Sequence, residues 1–293
     1  MMRNLKSSKC VCNVMALATI AVWGVTFVST KMLISDGLSP TEIFIIRFAT
    51  AYICTLMFSH DRLWADNRRD ECLLMAAGIT GGSLYFIAEN SALGITFASN
   101  VSLIICCAPI FTMIFGKLLF GDAIKPLAWL GSIIAFGGVA VVVLNGSRHY
   151  GINPLGDFLT VIAALSWAAY CLLLKNLNSI YNNMFITRKV FAYGVITALL
   201  FYCIFPTDTC INLRHIKSII ANLMFLSVGA SFICYLMWNT AVRHLGAEKT
   251  SNYIYLVPLI TILASTIILG DPFTVTMTIG ATLIIGGVIL STK

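Results

Sequence analysis

Glu89 is the acidic residue whose position demands a chemical reason. The chain carries 12 Asp and Glu, and the others fall in loops or within a few residues of the end of an apolar run. Glu89 alone stands about one helical turn inside such a run, in SLYFIAENSALGI. At the centre of a bilayer a charge costs roughly 2.5–3.5 kcal/mol on insertion scales, and less near an end. Two arrangements could offset that cost. Glu89 could pair with Arg47, which lies at a similar depth, or it could face a cavity and bind a proton or a cationic group of a ligand. Arg47 and Arg188 each sit about two turns into an apolar run. Snorkelling or a structural ion pair is the ordinary use of such residues. Glu89 and Arg47 are therefore the candidates for energy coupling.

Around these charges the sequence sets aromatic and amide side chains at helical spacing. Tyr85 and Glu89 are four residues apart, as are Phe86 and Asn90; Tyr235, Trp238 and Asn239 lie three and four apart. Residues so spaced share a helix face. Trp23 and Trp167 fall near the middle of apolar runs, where an indole N–H needs a partner or a cavity. A mostly apolar pocket with a few placed polar groups has this composition. The candidate substrate-binding residues are thus Trp23, Tyr85, Glu89, Asn90, Ser102, Trp167, Tyr235, Trp238, Asn239 and Asn252. The plainer alternative stays open for each: the tryptophans pack helices together, and the asparagines hydrogen-bond between helices. Pro109 and Pro258 stand mid-run, and each should leave a carbonyl free four residues earlier, at Ile105 and Ile254. They are hinge candidates, with a static kink as the alternative.

Several chemistries are disfavoured. His60, His149, His215 and His244 fall in loops or run ends, and no His/Cys/carboxylate cluster has metal-ligand spacing. The 10 cysteines are scattered, mostly inside apolar runs, where Cys behaves as a small apolar residue. No GxxxxGK[ST] loop is present, which argues against ATP-driven transport by this chain alone. We expect no metal, no cofactor and no enzyme activity. A net charge of +7 could suggest nucleic acid. The basic residues are dispersed at run ends, so membrane topology explains them better and no nucleic-acid partner is expected.

The elements that position these residues follow from composition. Of 293 residues 59% are hydrophobic and 11% charged, with mean hydropathy +0.90. Soluble domains carry about 25% charged residues. The solvent must largely be a lipid bilayer, and runs of ~20 apolar residues are helix-length. Ten spans are expected, at 11–34, 41–59, 72–93, 98–119, 126–145, 157–176, 184–205, 219–242, 250–269 and 273–291. The first run is too long for a cleavable leader and lacks an Ala-x-Ala site. With the N-terminus inside, 14 of the 19 Lys and Arg lie at cytoplasmic ends, which sets both termini in the cytoplasm.

The halves also resemble each other. At a constant offset of 149 residues Asn90 matches Asn239, Ser102 matches Ser251, Pro109 matches Pro258, and Gly137-Gly138 matches Gly286-Gly287. Trp23 with Lys31 matches Trp167 with Lys175, and FIIRFATAY from Phe44 matches FITRKVFAY from Phe185. Gly81-Gly82, Gly137-Gly138 and Gly286-Gly287 should permit close helix approach. The repeats are residues 1–148 and 149–293. Each holds five spans, an odd number, so the second should enter the membrane from the opposite side. The fold class expected is all-α integral membrane, with ten transmembrane helices as two inverted five-helix repeats, an architecture of secondary transporters.

These residues resemble the drug/metabolite transporter superfamily, EamA-type branch, along essentially the whole chain. The likeness rests on the Trp-bearing first helix of each repeat, the Arg early in the second, the Asn followed nineteen residues later by Pro, and the acidic residue before a Gly-rich fifth helix. The branch usually has Glu at that last place; here Asp122 and Asp271 stand there. The resemblance implies a ten-helix carrier with a central cavity, often an exporter, in the cell (inner) membrane. It names no substrate beyond small organic metabolites and drug-like molecules, and no coupling residue. The expected function is secondary active export by alternating access, with proton coupling as one option and a homodimer as one candidate assembly. A non-transporting sensor or assembly module is the alternative, although ten spans consume about 200 of the residues and leave little room for an output domain. Labelling of intact cells with an impermeant thiol reagent should reach a cysteine placed at Arg148 and miss one at Arg68. The reverse pattern would overturn the orientation.

Overall fold

A computed structural model describes residues 2–58, 63–96, 98–121, 123–146, 153–207, 213–269 and 275–291. His60, Arg62, Asp122, Arg148, His149, Gly270, Asp271, Lys293 and the boundary between the repeats lie outside the described residues. Among those described, every regular element is helical. Seven stretches are long and apolar enough to cross a membrane: Lys9–Ser35, Pro40–Phe58, Arg68–Ile95, Val101–Phe120, Pro154–Ile180, Asn183–Ile204 and Ile216–Leu245. The expected spans at 126–145 and 273–291 correspond to shorter apolar helices, Pro126–Val141 and Thr278–Ser291.

The first half comprises α1 (Met2–Ser35), α2 (Pro40–Phe58), α3 (Arg68–Gly78), α4 (Leu84–Ile95), α5 (Ala98–Ile105), α6 (Ala108–Phe120) and α7 (Pro126–Gly146). The second comprises α8 (Pro154–Ile180), α9 (Asn183–Ile204), α10 (Ile216–Met224), α11 (Cys234–Leu245), α12 (Ala247–Ser251), α13 (Val257–Leu269) and α14 (Val275–Ser291). Side chains start several of these helices. Ser39 and Glu42 cap α2 reciprocally, with Glu42 N donating to Ser39 Oγ at 3.2 Å and Ser39 N to Glu42 Oε2 at 2.9 Å, a capping box. Asn67, Asn153 and Asn182 accept the first free N–H groups of α3, α8 and α9.

Four spans expected as continuous helices are interrupted. A π-helical turn, Ile79–Ser83, separates α3 from α4, and a longer one, Phe225–Ile233, separates α10 from α11. A turn at Cys106–Cys107 divides α5 from α6, and a 3-10 segment, Asn252–Leu256, divides α12 from α13. The prolines do not kink mid-helix as expected. Pro109 and Pro258 are the second residues of α6 and α13, where the missing N–H would be unsatisfied anyway. Tight bonds form the turn between α5 and α6, with Cys106 N donating to Leu103 O at 3.1 Å and Cys107 N to Ile104 O at 2.9 Å. The Ile254 carbonyl, expected to be free, accepts Val257 N–H and, at 3.7 Å, the Cys106 thiol of the other half.

Polar contacts between the halves tie both ends of the bundle. At one end Glu71 on α3 accepts Lys189 Nζ at 2.5 Å and the Tyr193 hydroxyl, and Asp70 accepts the Tyr181 hydroxyl at 2.8 Å. At the other, Asp36 meets His215 Nδ1 at 2.6 Å, and Ser29 donates to Asn222 at 2.7 Å.

Helices α7 and α14 run against each other at backbone contact. A Cβ on Gly287 would lie 2.4 Å from Ala135 N, and one on Gly138 2.8 Å from Ile284 N. Gly137 and Gly286, also expected at close approaches, meet nothing within 4 Å. Adjacent residues on a helix face directions 100° apart, so only one glycine of each pair can touch the neighbour. Gly287→Val should lower the melting temperature in lipid nanodiscs by an amount equivalent to about 1–3 kcal/mol, whereas Gly286→Val leaves it near wild type. Equal effects would overturn this packing.

Candidate functional site

The interrupted helices set carbonyl groups facing the centre of the bundle, and side chains of the opposite half take them up. Trp23 on α1 donates its indole N–H to Ala230 O at 2.9 Å. Tyr235 on α11 donates its hydroxyl to Gly81 O, and Ser166 on α8 donates to Thr80 O at 2.9 Å. Gly81 lets Tyr170 lie directly on the first π turn, since a Cβ there would fall 2.4 Å from Tyr170 Cδ2.

These bonds gather the aromatic residues into one cluster. The Trp23 ring lies 5.1 Å from Trp167, edge-on, 5.0 Å from Trp238 and 6.0 Å from Tyr235. Tyr85 lies 5.0 Å from Trp167. Behind Tyr235 are Phe48, Phe191 and Tyr170, all fully buried. The cluster closes one side of the bundle centre.

On the other side a narrow cavity, lined by residues of both halves, opens at the bundle centre. Its polar wall is Arg47, Tyr85 and Glu89, and its aromatic wall is Trp23, Trp167, Phe27 and Phe86. Glu89 is 7% exposed and accepts the Tyr85 hydroxyl at 2.9 Å. Arg47 is 3% exposed, donates Nε–H to Ser231 Oγ at 2.5 Å and holds its guanidinium carbon 4.4 Å from the Phe86 ring centre. The ion pair considered for Arg47 and Glu89 is not formed: each takes a neutral partner, and both line the cavity. Two groups of opposite charge type therefore face one buried cavity without meeting each other.

The remaining candidates do not line this cavity. Tyr235 and Trp238 lie behind the wall in the aromatic cluster. Asn90 donates to Pro40 O at 3.2 Å, tying α4 to the start of α2. Asn239 accepts the Tyr170 hydroxyl at 2.7 Å and donates to Thr187 at 3.0 Å. Ser102 on α5 and Asn252 at the start of the 3-10 segment are buried, at 2% and 1% exposure. Thr26, Phe27, Ile105, Ile254 and Val257 complete the lining, and sequence reasoning assigns none of them to it. Two signals could have found them. Thr26 and Phe27 share the face of Trp23 at three and four residues' distance, and Ile105 and Ile254 are related by the same 149-residue offset as the prolines that follow them. Among the described residues no group of three or more His, Cys, Asp or Glu could hold a metal ion.

A bundle of apolar helices with an amphipathic cavity at its centre defines the class: a multi-pass membrane transporter. The EamA-like transporter family matches residues 11–144 and again residues 154–293, and the chain belongs to that family. An uncharacterized transporter of Archaeoglobus fulgidus is 29% identical over 275 residues, covering 92% of this chain and 94% of that protein. A protein of Escherichia coli (strain K12) named "Probable amino-acid metabolite efflux pump" is 23% identical over 285 residues, covering 95% and 93%. A solved crystal structure superposes with a TM-score of 0.73 at 16% identity, covering 95% of each chain, which establishes a shared fold.

The two central tryptophans make a direct comparison. Trp23 loses a hydrogen bond on truncation, while the Trp167 N–H is buried with no partner among the described residues. Trp23→Phe should therefore destabilise the protein by about 1–3 kcal/mol more than Trp167→Phe, read as melting temperatures in nanodiscs. Equal losses would show that the Ala230 bond contributes nothing.

Proposed function

We propose that the chain is a secondary carrier that exports a small organic molecule by alternating access, from a cavity shared by two inverted five-helix repeats, 1–148 and 149–293. Ten spans, cytoplasmic termini and the cell (inner) membrane belong to the same reading. The observation that carries it is the pair Arg47 and Glu89, buried on one cavity at the junction of the halves and each held by a neutral partner. A ligand with an anionic group would meet the Arg47 guanidinium. A cationic or protonated group would meet Glu89, and the rings of Trp23, Trp167 and Phe86 would cover the ligand's apolar part. The name of the Escherichia coli relative supports metabolites of amino-acid type and the outward direction.

Pro109 and Pro258 fit as joints rather than kinks. Each begins the second half of a helix already broken at its junction, so the two segments can tilt with little loss of hydrogen bonding. Glu89 is the coupling candidate because position 238, its counterpart in the repeat, holds Trp; a merely structural acid would more readily have been kept in both halves.

Everted membrane vesicles with an imposed pH gradient and a panel of labelled amino acids and their metabolites test this reading. Wild type should accumulate at least one of them. Glu89→Gln should abolish gradient-driven accumulation while leaving equilibrium exchange intact. Driven transport that survives in a well-folded Glu89→Gln protein would remove Glu89 from coupling, and absence of both accumulation and exchange in wild type across the panel would overturn the assignment of this ligand class.

A further inference from the structure

Equivalent donors in the two halves are treated unequally. The 149-residue offset pairs Gly81 with Ala230 and Phe86 with Tyr235, and Trp23 corresponds to Trp167. Trp23 donates to Ala230 O at 2.9 Å. The symmetric bond would run from Trp167 to Gly81 O. That carbonyl is taken by the Tyr235 hydroxyl, while Trp167 Nε1 is buried without a hydrogen-bond partner among the described residues. Phe86, standing where Tyr235 stands in the other half, has no hydroxyl with which to contest Ala230.

Trp167 is placed close to the bond it lacks. Its helix already contacts the first π turn on either side of it, through Ser166 to Thr80 O at 2.9 Å and through Tyr170 lying on Gly81. The Trp167 ring is 6.1 Å from Tyr235. A buried N–H with no acceptor is costly in a medium that offers no water, so a conformation that supplies one is favoured by that amount. An inverted repeat supplies it when the halves exchange roles.

We propose that the Gly81 carbonyl is the shared receptor of a two-position lock: Tyr235 occupies it in the conformation seen here, and Trp167 occupies it in the opposite access state, when Trp23 releases Ala230. This inference rests on the alternating-access reading. The present conformation then holds two of these bonds, Trp23 to Ala230 and Tyr235 to Gly81, and the opposite one holds a single bond, Trp167 to Gly81. Tyr235 thereby biases the empty carrier towards the conformation seen here, and Phe86 is the position at which a hydroxyl would remove the bias. Tyr235 and Phe86 are positioning residues that set which face the cavity presents.

The test is the indole ¹⁵N–¹H spectrum of the whole chain in nanodiscs, without substrate. Its 5 tryptophans give few signals, assigned by single Trp→Phe replacements, and Trp64 and Trp129 serve as folding controls. Tyr235→Phe should move the Trp167 signal downfield, as it gains an acceptor, and the Trp23 signal upfield, as it loses one. Phe86→Tyr, which leaves Gly81 with Tyr235 in the conformation seen here, should produce the same pair of shifts by adding a bond to the opposite state. Either substitution should change the ratio of the states by about 2- to 10-fold, the range one net hydrogen bond commands. A downfield Trp167 shift with Trp23 unmoved would mean local repair of an orphaned donor and would overturn the lock, as would no shift of Trp167 in either variant. If Tyr235→Phe does not fold, Phe86→Tyr decides the matter alone. Because no substrate is present, failure of the transport reading leaves this result standing, whereas a chain that transports amino acids yet shows no coupled shift keeps its function and loses the lock.

Discussion

The absence of water around most of this chain governs the rest of its structure. In hydrocarbon every backbone carbonyl that leaves a helix must find a donor inside the protein, and four helical stretches here are interrupted. The donors come from the other half: Trp23 for Ala230, Tyr235 for Gly81, Ser166 for Thr80 and Cys106 for Ile254. The same groups that satisfy the backbone therefore fasten the halves together, and they do so at the centre of the bundle. A cavity bounded by such bonds can change shape only if donors and acceptors are exchanged in step. Any movement of one half against the other would break or exchange these bonds.

Placing two charges on that cavity is consistent with the same constraint. Arg47 and Glu89 would lower each other's burial cost by pairing directly, yet each leans on a neutral oxygen instead, Ser231 and Tyr85. A direct pair would tie α2 to α4 within the first half and leave neither group facing the cavity. Neutral partners satisfy part of each charge's hydrogen-bonding capacity and leave the remainder directed to the cavity. By contrast Glu71 and Lys189, near one end of the bundle, do meet directly at 2.5 Å, reinforced by Tyr193. That pair ties α3 to α9, and its partners are used up.

Much of this was legible in the sequence, and for identifiable reasons. Low charge and long apolar runs led to a helical membrane protein, and the chain's near-repeat led to two related halves. Trp23, Arg47, Tyr85, Glu89 and Trp167 could be picked out because polar or large amphipathic groups inside apolar runs are costly and few. The breaks were not legible, since a π turn differs from an α-helix in hydrogen-bond register and not in composition; Ile79–Ser83 reads as an ordinary apolar stretch apart from its glycines. Pro109 and Pro258 show the same limit: a proline mid-run signals a disturbed helix, but whether it kinks one helix or begins a second depends on where the preceding carbonyls find donors. Asn239 illustrates the other limit. Its position beside Trp238 resembled a ligand contact, and only the three-dimensional arrangement reveals that Tyr170 and Thr187 take up its amide.

The departures from symmetry carry more functional information than the symmetry. Two identical halves would give two mirrored packings of equal energy. This chain keeps the scaffold in both halves, in the tryptophans, the π turns and the helix-starting prolines, and varies what decorates it. Glu89 has Trp238 as its counterpart, and Phe86 has Tyr235. The first difference puts one carboxyl group on the cavity rather than two. The second puts one hydroxyl in competition with an indole for a single carbonyl. Each difference is about the size of one hydrogen bond or one buried charge, a few kcal/mol at most, which is the scale needed to bias a two-state equilibrium without abolishing the minor state.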